Sequence, residues 1–130
     1  MKRIPASLLL LSISNGLFAA EHSHSAVMEF HLCMTDARNV GAIAFQRGDN
    51  AAGWDAMHKA QKCLDEKVGA AVQQSYNNAD LKSAVLDYYV VAMSWVKDYA
   101  DREARPIVEE GLQDATAKLM SRGRNAGVWH

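Results

Sequence analysis

Residues 26–50 read AVMEFHLCMTDARNVGAIAFQRGDN, and this stretch decides the fold. Val27, Phe30, Met34, Ala37, Gly41 and Phe45 recur at spacings of three and four. Side chains spaced in this way lie along one face of an α-helix, so the stretch predicts an amphipathic helix with a buried stripe. Leu32 and Ile43 fall opposite that stripe, about three turns apart, and would be left outside it. Gly48-Asp49-Asn50 then punctuates the pattern. Glycine accepts the left-handed backbone that ends a helix, and Asp49 or Asn50 can cap the next one.

Working outward, Trp54, Met57, Leu64, Val68 and Val72 mark a second helix of the same kind, with Gln61 in the missing turn of its face. Ser75 to Asp80 reads as a turn in which Asn78 or Asp80 caps a third helix. That helix carries Leu81, Val85, Tyr88, Ala92, Trp95, Val96 and Tyr99 on its main stripe. Leu86, Tyr89, Val90 and Met93 extend its apolar surface around most of the circumference, as in a helix that is central or lies at an interface. Lys82, Asp87 and Lys97 interrupt it, so it does not read as a membrane span. Pro106 suits the first turn of a fourth helix, with Glu109 and Glu110 near its positive end. Val108, Leu112, Ala115 and Leu119 form its stripe, Gly123 ends it, and residues 124–130 read as a flexible tail in which Trp129 is able to pack.

The two cysteines tie this plan together. Cys33 and Cys63 each stand fifteen residues from Gly48. In an antiparallel hairpin, residues equidistant from the turn lie level, here about 20 Å from it at a rise of 1.5 Å per residue. A Cys33–Cys63 disulfide clamping the first helix to the second follows. No Cys-x-x-Cys occurs, so neither thiol has the adjacent partner of a redox or thiolate-metal motif. The expected fold is all-α, an antiparallel four-helix bundle over residues 26–123.

The chain opens with basic Lys2-Arg3, an apolar run from Ile4 to Phe18, and Ala19-Ala20 before polar Glu21. This is the order of a secretory signal peptide over residues 1–20, followed by a flexible mature start at 21–25. The expected location is therefore periplasmic or secreted, where thiols oxidise. Loss of Lys2 and Arg3 takes the formal net charge from −1 to −3, which argues against nucleic acid as the partner. No stable membrane span is expected after cleavage.

Candidate chemistry is sparse. Cleavage after Ala19 would leave Ala20-Glu21-His22, whose amine, amides and imidazole can surround Cu(II) or Ni(II) in a square plane. Cleavage after Ala20 would leave His22 and His24 as ligands instead. Met28, His31 and Met34 could together offer thioethers and imidazole to Cu(I), but they spread around the helix, and core filling is the preferred reading. Asp55 and His58 lie one turn apart on a polar side, without the Glu-x-x-His pairs of a bundle di-metal site. Asp98, Asp101, Glu103, Glu109 and Glu110 alternate with Lys97, Arg102 and Arg105, which reads as a solvated corner. No nucleophile elbow, phosphate loop or zincin motif is present.

The sequence thus points to binding without catalysis and without a cofactor. The leading expectation is a protein that docks a partner in the cell envelope, as an inhibitor or immunity-type neutraliser. Its expected surface is Leu32 and Ile43 on the first helix, or Tyr89, Val90 and Met93 on the third, with a homodimer as one way of covering them. The alternative is copper or nickel capture by His22 and His24. An enzyme with an unrecognised site is the third class.

Overall fold

The computed structural model describes residues 24–129. The signal-peptide reading and His22 lie outside them. Among the described residues every regular element is helical: α1 (Ala26–Leu32), a π-helical turn (Ala37–Gly41), α2 (Ala42–Gln46), α3 (Asn50–Gln74), α4 (Ala79–Asp98) and α5 (Arg105–Asn125). α1, the π turn and α2 form one continuous rod, so the architecture is a four-rod helical bundle.

The first rod was expected as a single regular helix and is not one. Cys33 N–H and Met34 N–H bond three residues back, to the Phe30 and His31 carbonyls at 3.2 and 3.1 Å. Ala42 N–H bonds five residues back, to Ala37. One turn is tightened and the next is widened, so the register of the stripe is recovered. All six stripe positions from Val27 to Phe45 are buried. The widened turn packs closely against α3. A Cβ on Gly41 would stand 3.1 Å from both Ala56 Cβ and Met57 Cε, and one on Gly53 would stand 2.7 Å from the Phe45 ring.

Local signals set the ends. Ser25, Asp49 and Asn78 each accept a backbone N–H three residues on, at 3.1, 3.1 and 3.0 Å, and so satisfy otherwise unpaired donors. Gly48 takes φ +83° after α2, with Asp49 N–H on the Ala44 carbonyl and Gly48 N–H on that of Phe45. This is the Schellman arrangement, which only a residue tolerant of positive φ accommodates without strain.

The register of the bundle is antiparallel throughout. Cys33 and Cys63 are bridged with Cα atoms 5.5 Å apart. Tyr89 on α4 reaches Asp65 on α3 across the turn at 75–78. Between α4 and α5, Trp95 meets Glu109 at 3.1 Å, Asp87 meets Lys118 at 3.8 Å and Asp80 meets Arg122 at 3.9 Å. Each pair sums to nearly the same number, as two antiparallel rods folded about residues 99–104 require. The interior is filled by Trp95, Tyr88, Phe30, Met34, Met57, Leu64, Leu112 and Leu119, all fully buried.

Three expectations are corrected. Trp54, read as part of the second helix's stripe, is 37 % exposed; it packs edge-on to Phe45 at 5.3 Å and stacks on His58. The core side of α3 is instead built from small residues, Gly53, Ala56 and Ala60, around Met57 and Leu64. Ser25, read as part of a loose start, donates its hydroxyl to the Val128 carbonyl at 2.6 Å while capping α1. The segment after Gly123, read as a flexible tail, continues as helix to Asn125 and closes in a second Schellman turn at Gly127, φ +75°. Val128 N–H bonds the Gly123 carbonyl at 2.9 Å, which brings Trp129 against His31 with ring centroids 4.9 Å apart. Trp129 therefore closes the seam between the first and last rods. That contact spans the sequence and leaves no local periodicity to read.

Candidate functional site

The outward side of the first rod carries the apolar groups that the bundle does not use. Leu32 and Ile43 are each 42 % exposed, and Val40 between them is 52 % exposed. Val40 was missed because it lies between the stripe positions Ala37 and Gly41. Its spacings of eight from Leu32 and three to Ile43 are nevertheless helical, and that is the signal that would have found it. Val40 and Ile43 share a shallow groove of about 330 Å³ with Asn39, Ala44, Arg47 and Asp49. Leu32 borders a separate hollow of about 230 Å³ beside the disulfide, lined also by His24, Glu29 and Lys67.

The surplus surface of α4 divides. Val90 is 66 % exposed, with Leu86 one turn before it also exposed. Val90 lines a groove of about 260 Å³ between α4 and α5, together with Asp87, Val91, Gly111, Asp114 and Lys118. Tyr89 and Met93 are half-buried and pack against the core instead. Tyr89 donates its hydroxyl to Asp65 at 2.5 Å, and that bond, more than desolvation, raises its pKa. The structure thus keeps Leu32, Ile43 and Val90 outside and draws Tyr89 and Met93 inward.

Of the proposed N-terminal ligands, only His24 falls among the described residues. His24 is exposed near the disulfide. Among the described residues no three His, Cys, Asp or Glu side chains gather as a metal site. Met34 is buried, Met28 and His31 are half-buried, and Asp55 pairs with Lys59 at 3.1 Å on the exposed side of α3.

The acidic corner is also dispersed, and one of its members turns inward. Glu109 accepts from Arg38 at 2.6 Å and from the Trp95 indole at 3.1 Å, which joins the π turn, α4 and α5. Trp95 is fully buried, so its N–H needs this partner. Beside it, His31 Nδ1 and the Tyr88 hydroxyl lie 3.0 Å apart. Burial raises the Tyr88 pKa far above its ordinary value, and the phenol stays neutral. This polar seam was invisible in the sequence because its members come from four separate segments.

Comparison with protein-family models, with curated proteins and with solved structures finds no match for this chain. Function therefore rests on the geometry.

The seam carries a pH prediction. Burial, and then the Arg38 charge, hold the His31 pKa below 6.5. The unfolded chain takes up the proton more readily, so stability falls as pH drops from 6.5 through the lowered folded value. Thermal melts between about pH 8 and about pH 5 should show this acid-side decline, the range in which histidine titrates. His31→Gln should shallow it, and identical slopes in the two proteins would refute the role given to His31.

Proposed function

We propose that this chain is a non-catalytic binding protein that docks another protein of the cell envelope, as an inhibitor or neutraliser would. The observation that carries the reading is the outward side of the first rod. Leu32, Val40 and Ile43 stay partly in water although the rod already has a complete buried stripe. Covering such groups recovers about 25 cal/mol for each Å² of apolar area. The rod is held rigidly beneath them by the disulfide and by Arg38–Glu109, so little conformational freedom is lost on docking. The bridge is also compatible with the oxidising compartment that the reading requires.

The test is Ile43→Glu. A charge there meets open groove and not core, so helicity and thermal stability should stay close to wild type. Sedimentation of the mature protein, alone and with envelope extract, should show an assembly that the variant loses. If wild type and Ile43→Glu sediment alike under both conditions, docking through this side is wrong.

A further inference from the structure

The turn between the first two rods and the connection between the last two come together at one end of the bundle, because the rods alternate in direction. Between them lies a cleft of about 630 Å³, lined by Phe45, Gln46, Arg47, Asn50, Arg102 and Arg105 among others. Three arginine residues therefore border one concavity. Among the described residues none of the three has a carboxylate within 4.0 Å, whereas Arg38 and Arg122 both do. Two nearby acids cap backbone groups. Asp49 accepts the Ala52 N–H at 3.1 Å, and Asp101 accepts the Glu103 N–H at 2.9 Å.

One of these arginines is held in place. Gln46 donates to the Tyr99 hydroxyl at 2.7 Å, which fixes the ring. The Arg105 guanidinium lies 4.6 Å from the centroid of that ring and donates its Nε–H to the Tyr99 carbonyl at 2.9 Å. Among the described residues neither terminal amino group of Arg105 has a hydrogen-bond or salt-bridge partner. A fixed planar fork suits carboxylate or phosphate oxygens better than an ammonium does.

The geometry points to a binding site in this cleft for a small anion with clustered oxyanion groups, phosphate or carboxylate. It shares Arg47 with the groove beside Val40 and Ile43 but does not depend on the docking reading. The experiment is a titration of ¹⁵N-labelled mature protein with inorganic pyrophosphate and, in a second arm, with citrate, followed by amide chemical shifts at fixed ionic strength. Saturable shifts confined to residues 45–50 and 99–105 are expected. Pyrophosphate alone saturating would assign phosphate, citrate alone would assign carboxylate, and both would assign clustered oxyanions in general. Arg105→Gln should weaken the binding tenfold or more. Arg102→Gln, at an exposed position without partners, should weaken it severalfold with the fold intact, and Lys59→Gln should leave it unchanged. The proposal is overturned if neither anion saturates, if shifts spread over basic residues generally, or if both arginine variants bind as tightly as wild type.

Discussion

Cys63→Ser should lower the stability of the bundle by about 3–4 kcal/mol, the value expected for opening a loop of this length on the chain-entropy model. The bridge closes a span of 30 residues. It joins the rod least able to stand alone. α1 has seven residues and α2 has five, and the tightened and widened turns between them interrupt the regular hydrogen-bond ladder of the rod. Their polar ties to α3 are few, Val27 N–H to the Gln74 side chain at 2.8 Å and a loose Lys67–Glu29 pair at 3.9 Å, and the rest of the contact is apolar packing. Urea unfolding of Cys63→Ser, and of wild type with and without reductant, is the measurement. Amide exchange should accelerate first in residues 26–46. Unchanged midpoints on reduction would mean that packing alone holds the first rod.

Phe45→Ala should cost about 3–5 kcal/mol, the usual range for removing a buried aromatic ring. The ring lies over the bare backbone of Gly53 and against Trp54. That position gives the pair a distinctive coupling. In wild type, Gly53→Ala places a methyl group 2.7–2.8 Å from three ring atoms. Overpacking of this kind costs about 1–3 kcal/mol, more than the roughly 1 kcal/mol that alanine gains over glycine inside a helix. With the ring gone, the clash is gone and the helix preference remains. Gly53→Ala should therefore destabilise wild type and stabilise Phe45→Ala. A double-mutant cycle by chemical denaturation measures both. The same sign in both backgrounds would show that the ring moves aside freely and that Gly53 is not needed for close approach.

Much of this was legible in the residues. The stripe from Val27 to Phe45, the stop at Gly48, a cap at Asn78 or Asp80, the Pro106 start and the Cys33–Cys63 pairing are all read from spacing and backbone chemistry. Helical period and capping are local properties, and a disulfide between rods follows once a turn divides the chain symmetrically. Leu32, Ile43 and Val90 were also placed outside correctly, because they lie opposite a stripe. Tyr89 and Met93 were not, because a long side chain at the flank of a stripe folds back onto its neighbours.

The sequence by itself determined that this chain makes four helical rods, where three of them begin, and which two are pinned together. Tertiary structure decided the rest. It tightened and then widened the first rod to bring Gly41 against α3, drew Trp129 back onto His31, and turned Glu109 inward to Arg38 and Trp95. It also brought Arg47, Arg102 and Arg105 around one cleft. Each depends on partners tens of residues apart whose meeting is set by how the rods pack, and no periodicity along the chain records that.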